Sequence, residues 1–286
     1  MYKIAILGCE NSHANTFLDF IIKDKKYTDI EVLGVYSDDI EAAKKINETY
    51  DVYIAKSYDE FVGKIDGVVI TARHGDNHYK YAKPYIESGI PMFIDKPITI
   101  SEDDALSLKA DLIKNNIRVC GGSVCKFPEF IKELRKAVKE KTYGEVYGGL
   151  LRAPVHMNNE YGNFFFYSQH LVQAMCEIFG YFPNSVKAFL RDNIVNCVVR
   201  YQDYDITIVY TEKDSSYYAG INCEKFGVFS QYTLDGCFDK EFEEFYKLLK
   251  GEPQAESYEE FIAPVFILNA IDRSMKSSKE EVITKP

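Results

Sequence analysis

The sequence predicts an α/β chain in two parts, a doubly wound parallel sheet followed by an α+β domain with a mostly antiparallel sheet. Three observations carry this. Through residue 123, short apolar runs without internal polar alternation are separated by helix-length amphipathic segments, as in parallel strands covered on both faces. Helix start and stop signals punctuate several of those segments. Beyond residue 123 the runs change to period-two alternation joined by short polar turns, as in antiparallel pairing. The expected domains are therefore residues 1–123 and 124–286.

In order, the expected strands of the first part are "YKIAIL", "IEVLGVY", "VYIA", "DGVVITA", "PMFID" and "IRVCGG", giving six βα-type units. The helix after the first strand is marked by Ala14, Phe17, Leu18, Ile21 and Ile22, whose spacing makes one apolar stripe. Ser57 with Glu60 and Ser101 with Asp104 have the spacing of capping boxes, which satisfy orphan backbone donors. Gly89 follows "DNHYKYAKPYIES" where a left-handed terminal residue is wanted. The second part begins with the helix "PEFIKELRKAVKEK", then "GEVYGGLLRAPVH" and an aromatic helical stretch at residues 164–179. Five strands follow ("SVKAFLR", "NCVVRYQ", "DITIVYT", "YYAGINC", "GVFSQYT"), and the turns "QD" and "EKDSS" imply antiparallel neighbours. Two helices, "DKEFEEFYKLLKG" and "SYEEFIAPVFILNAIDRSM", close the chain.

Composition narrows the function classes. At 46% hydrophobic and 27% charged, the 286 residues are ordinary for a water-soluble globular protein. No apolar run of about 18 residues exists to span a membrane. The first residues enter a strand pattern directly, so export is not expected. Seven scattered cysteines form no C-x-x-C pair and read as reduced thiols, so a cytoplasmic location is expected. A net charge of −10 argues against nucleic acid or an anionic membrane as partner. His74, Asp76 and His78 lack the further ligands of a metal site, and none is expected.

The opening stretch "YKIAILGCENSHANTF" is the strand, turn and helix of a dinucleotide-binding unit, with a changed turn. Of the three motif glycines, Gly8 keeps the place of the tight bend, while Glu10 and His13 occupy the other two. Asn11 and Ser12 are placed to cap the helix or donate to phosphate. A carboxylate about 4 Å from a phosphate costs on the order of 1 kcal/mol in water, and more when partly buried. Glu10 must therefore point away, pair with a cation, or reject the ligand. The second strand ends in "GVYSDD", where Asp38 or Asp39 can accept from a ribose hydroxyl beside Ser37, or can cap the following helix. With no neighbouring arginine, NAD is favoured over NADP.

The remaining signals lie at the carboxyl ends of the next strands, where ligands bind in open α/β sheets. "ITARHGDNH" carries Thr71, Ala72, Arg73 and His78, and "FIDKPIT" carries Asp95, Lys96 and Pro97. In order and spacing, these segments resemble the Gfo/Idh/MocA oxidoreductases, the glucose–fructose oxidoreductase and inositol dehydrogenase group. Asp95-Lys96-Pro97 matches the family's Glu-Lys-Pro, and His78 is what survives of its Pro-Asn-x-x-His turn. In "GGSVCKFPEF", Lys126 stands at the arginine of the family's crossover into the second domain. The closing helices are similar too, so the likeness spans nearly the whole chain.

The resemblance implies an enzyme with an N-terminal Rossmann-type domain that holds NAD(P) around the residues named at the strand ends. A small hydroxylated substrate, a sugar, polyol or related molecule, is expected against the second domain's sheet, and that sheet is expected to pair subunits into a homodimer or homotetramer. Lys96 matches the lysine that contacts the nicotinamide ribose or substrate and assists proton transfer. Alcohol oxidation needs a base for the hydroxyl proton, and an amine can serve. His170, in "FFFYSQHLVQAMCEIFG", matches the histidine of the family's Asp-x-x-x-His helix, and Phe166 replaces its aspartate. His170 is expected to act alone as acid/base, or else to be a core residue. Tyr167 and Gln169 are expected to shape the pocket, and Lys126 to face it. His156 lies near its expected entrance with its role open. The competing expectation is a protein of this fold that binds a dinucleotide or small molecule without redox turnover, since Glu10, His13 and Phe166 all depart from the family pattern.

Overall fold

Five of the predicted N-terminal strands pair in parallel: β1 (Tyr2–Leu7), β2 (Ile30–Tyr36), β3 (Gly67–Ile70), β4 (Met92–Asp95) and β5 (Val119–Gly122). The structure, a computed structural model, describes residues 1–286. Sheet order is β2-β1-β3-β4-β5, so the chain leaves β1 to one side and returns to the other. That reversal creates a crevice above the carboxyl ends of β1 and β3. β3, β4 and β5 are buried throughout, which is why their sequences lack polar alternation.

The expected sixth strand does not form. "VYIA" makes one parallel bridge, Val35 with Ile54, because it alternates buried Val52 and Ala55 with exposed Tyr53, and Lys56-Ser57 then turn the chain. Nor does the Ser57–Glu60 capping box form. The Glu60 carboxylate accepts from Lys56 N at 2.7 Å, the Ser57 hydroxyl donates to Asp59, and residues 57–64 run as turns.

The helices of this unit begin with α1 (Ser12–Leu18), which widens into a π turn at Asp19–Lys23 and buries Ala14, Phe17, Leu18 and Ile21 as its stripe predicts. α2 (Ile40–Tyr50) is capped by Asp39. α3 (Asp76–Ala82) tightens to a 3₁₀ turn where Pro84 lacks a donor, and ends on Gly89 at φ +65°. α4 (Glu102–Lys114) starts directly after Ser101.

The second sheet has seven strands. After α5 (Glu129–Lys139) come β6 (Val146–Pro154), α6 (Phe165–Phe179), β7 (Ser185–Arg191), β8 (Ile194–Arg200), β9 (Asp205–Thr211), β10 (Tyr217–Cys223) and β11 (Gly227–Tyr232). α7 (Cys237–Leu249), α8 (Tyr258–Ser277) and β12 (Glu280–Val282) complete the chain. The order β11-β10-β6-β9-β8-β7-β12 corrects one pairing, because "EKDSS" does not join neighbours and β6 enters between β9 and β10, parallel to β9. Glycines let both neighbours close on β6: a Cβ on Gly148 would meet Asp205 O at 2.7 Å, and one on Gly149 would meet Gly220 O at 2.7 Å. α6 is buried from Ser168 through Phe179, as its all-round apolar sequence requires.

The domain boundary also needs refinement. Residues 1–99, 103–122 and 238–261 form one compact unit, and residues 100–102, 123–237 and 262–286 the other. The reason is the apolar stripe of α7. Phe242, Phe245 and Leu248 join Ile4, Ile6, Phe17 and Phe93 in the first unit's core, with Phe17 4.9 Å from Phe242 ring to ring. No helix is long and apolar enough to cross a membrane.

Candidate active site

The turn after β1 is pinned on both sides. Gly8 N donates to Tyr36 O at 2.7 Å, and Thr71 Oγ1 donates to Gly8 O at 3.0 Å. Gly8 sits at φ +80°, and a Cβ there would fall 2.3 Å from the Ala72 backbone. The first motif glycine is thus required by both dihedral and close approach. Asn11 caps α1, its Oδ1 accepting from His13 N at 3.3 Å and from the hydroxyl of exposed Ser12 at the same distance.

Glu10 takes the first of the three courses open to it. One carboxylate oxygen accepts the Ser37 hydroxyl at 2.6 Å and the other accepts Arg73 N at 3.0 Å, which draws the charge off the helix N-terminus and across the strand ends. With that carboxylate drawn aside, the turn residues fit a dinucleotide. Cys9 beside it is inert, its thiol pushed up to about 12 by burial and by the nearby Glu10 and Asp39 carboxylates.

At the end of β2 the two aspartates divide their work. Asp39 caps α2 through Glu41 N and Ala42 N, both at 3.1 Å. Asp38 accepts the phenols of Tyr36 at 2.5 Å and Tyr81 at 2.7 Å, and Lys80 Nζ lies 3.6 Å from it. Burial would raise the Asp38 carboxyl, yet these donors hold it below the usual carboxylate range.

Asp95, at the end of β4, is fully buried and tied to the β1 turn. His13 Nδ1 lies 2.8 Å from Asp95 Oδ2, and Asn11 Nδ2 donates to the same oxygen at 2.9 Å. Burial alone would raise this carboxyl, but the His13 imidazole and Lys96 ammonium together hold it below its ordinary value. The His13 ring, at the third glycine's place, packs edge-on to Phe238 of α7 at 5.0 Å. Lys96 is 4% exposed and precedes a cis peptide to Pro97. His78 is fully buried, its Nε2 2.7 Å from Ala72 O. Burial depresses its pKa, so the neutral ring donates there and braces the turn that carries Thr71, Ala72 and Arg73.

The second unit gathers its own candidates. Ser123 Oγ lies 2.6 Å from His170 Nδ1 and also accepts from Cys125 N at 3.1 Å. Tyr167 stands edge-on to His170 at 4.4 Å, and its hydroxyl accepts from Tyr217 at 3.2 Å. Gln169 is buried, 3.5 Å from Gln173 through their amides. Lys126 is buried with its ammonium over Phe127. His156 is exposed, with Tyr167 at 5.0 Å and Phe166 at 6.2 Å between ring centres. Phe166 therefore belongs to an aromatic cluster where the family pattern has a carboxylate.

Three contacts lay beyond sequence reading. Lys80 reaches Asp38 from 42 positions away, Tyr217 meets Tyr167 across 50, and Phe238 packs on His13 from the far end of the chain. Ser123 carried a partial signal, since it directly follows the last strand of the first sheet.

Residues 2–122 match the Gfo/Idh/MocA family model, described as an oxidoreductase family with an NAD-binding Rossmann fold. No curated protein matches the chain. Among solved structures, the chain is similar to a myo-inositol dehydrogenase from Corynebacterium glutamicum, at 15% identity and TM-score 0.81, with 100% of both chains covered. It is also similar to scyllo-inositol dehydrogenase from Lactobacillus casei, at 12% identity and TM-score 0.84, covering 99% of this chain and 98% of that one. A third is GenD2 from gentamicin A biosynthesis in complex with NAD, at 12% identity and TM-score 0.84, covering 99% and 96%. At such identities the structural likeness shows the fold alone.

Proposed function

We propose that this member of the Gfo/Idh/MocA oxidoreductase family oxidises or reduces a hydroxyl-bearing carbon of a sugar, polyol or related small molecule in the cytoplasm, with NAD. One observation carries the reading: a buried lysine at the carboxyl end of β4, beside a buried carboxylate that the β1 turn holds in place. When bound, NAD supplies the hydride acceptor or donor. Gly8, Asn11, Ser12 and the strand-end residues Ser37, Thr71, Ala72 and Arg73 would hold it. Lys96 takes or returns the proton of the substrate hydroxyl. His170, oriented by Ser123, steadies that hydroxyl or shares its proton, and Tyr167, Gln169, Lys126 and His156 shape the substrate's surroundings. Two inositol dehydrogenases and an NAD complex among the similar structures support the substrate class and the cofactor.

The second reading, binding without turnover, is favoured by Phe166, which puts an aromatic cluster in the place of a carboxylate. Fluorescence titration with NADH, followed by turnover assays on a panel of polyols and sugars, separates the two. Saturable binding with turnover of a panel member is expected. Binding without any turnover supports the second reading, and no binding defeats both.

Self-association completes the proposal. On the second sheet, exposed Tyr147, Leu150 and Phe229 lie together on one face, and apolar surface of this kind usually marks an interface. A homodimer or homotetramer through this face is expected in light scattering. Leu150→Glu with Phe229→Lys should shift it toward monomer, and a wild-type monomer at micromolar concentration would sink the assignment.

A further inference from the structure

In a dinucleotide-binding fold, an acid at the end of the second strand receives the adenosine ribose. Here the acid that this rule selects, Asp38, is already engaged by two phenols, and Lys80 stands close by. A carboxylate offers about four acceptor positions; the two phenols take one on each oxygen, and Lys80 offsets the charge.

Glu10 differs in place. It is partly buried and holds one donor on each oxygen, the Ser37 hydroxyl and the Arg73 amide. Those tethers come from the residue directly after β2 and from the segment after β3. The carboxylate is thereby stretched over the carboxyl end of β1, which lies between them in the sheet. That is the chain-reversal crevice, and its β2 side is where the ribose lies. Because Ser37 also accepts Asp39 N at 3.0 Å, its own proton stays committed to Glu10. The acceptor is fixed in advance, and little conformational freedom remains to be lost on binding.

We propose that Glu10, though it stands at a motif glycine's position, is the residue that accepts the adenosine 2′- and 3′-hydroxyls of the cofactor and excludes a 2′-phosphate. The assignment rests on the dinucleotide reading above. A phosphate at the 2′ position would face a fixed carboxylate of like charge, while a diol offers it two donors. Lys80 pulls the other way, since a cation beside Asp38 suits a 2′-phosphate, so the wild-type preference is itself informative.

The test is fluorescence titration of the full chain with NADH and NADPH, in wild type, Glu10→Gln and Asp38→Asn, with thermal melts of the same samples. Wild type is expected to bind NADH at least tenfold more tightly than NADPH. Glu10→Gln should weaken NADH about tenfold or more, as removal of a charged acceptor does, and narrow the gap to NADPH. Asp38→Asn should cost less than Glu10→Gln. Equal or tighter NADPH binding by wild type overturns the assignment, as does a larger loss in Asp38→Asn. If the melts show Glu10→Gln unfolded, Asp38→Asn decides alone: a tenfold or greater loss of NADH overturns the proposal and a smaller one supports it. Wild type binding NADH while Glu10→Gln binds it equally well overturns this assignment only. A wild-type chain that binds neither dinucleotide overturns the cofactor reading with it.

Discussion

Lys96→Met is expected to lower kcat on a true substrate by about 10²–10⁴-fold, the usual worth of a positioned proton-transfer group, while NADH affinity changes little. The thioether fills much of the lysine's volume and keeps the apolar stem, so the buried site at the end of β4 should remain packed. What is lost is a group that can take a proton from a hydroxyl and return it. Lys96→Arg should not rescue turnover, because a guanidinium stays protonated at any working pH and its planar fork does not fit a point-charge site. Lys96→Met leaves Asp95 without the cation that helps hold its charge, so its melt should fall modestly, while the guanidinium of Lys96→Arg keeps a cation there. Stopped-flow or steady-state assays with parallel NADH titrations separate chemistry from binding. Turnover in Lys96→Met within threefold of wild type would remove Lys96 from the mechanism.

What could be read in advance follows the range of the interaction concerned. Strands β3, β4 and β5 were legible because burial on both faces writes itself into consecutive residues, and α1 because its stripe repeats every turn. The strand-end positions of Lys96 and of the β1 turn were legible because position at a strand end is itself local information. "VYIA" misled because edge and interior strands share composition, and only the polar Lys56-Ser57 that follows limits it to a single bridge. The parallel entry of β6 between β9 and β10 was invisible, since a short turn signals pairing whether or not another strand can intrude. Phe238–Phe261 was misassigned for a similar reason: an amphipathic stripe shows which face is buried and not which sheet it covers. In the site, Glu10 and His13 looked like independent losses of glycine. Their partners, Ser37, Arg73 and Asp95, lie 27 to 82 positions away, and only folding reveals that each replacement has its own tether.

His13→Ala should destabilise the protein by about 3 kcal/mol, because it strips a buried carboxylate of a close polar neighbour, although Asn11 and Lys96 remain to support Asp95. The Asp95 side chain is one methylene shorter than the glutamate of the motif it resembles, and the His13 ring stands 2.8 Å from it, so two residues that depart from that pattern meet. Removing the ring also strips the edge-on packing against Phe238. The sign of the pH dependence follows from Asp95, whose carboxyl is held below its ordinary value of 3.8 in the folded chain. Such a group contributes stability above its unfolded pKa and loses that contribution as pH falls through the folded one. Wild type should therefore lose stability steeply as the pH drops below about 4, whereas Asp95→Asn, which starts lower at neutral pH, should show a flatter acid limb. Urea midpoints collected from pH 7 down to pH 3 measure both effects. Parallel limbs for wild type and Asp95→Asn would mean that the buried carboxylate takes up its proton no more readily unfolded than folded, and the clamp between the nucleotide turn and Lys96 would lose its electrostatic basis.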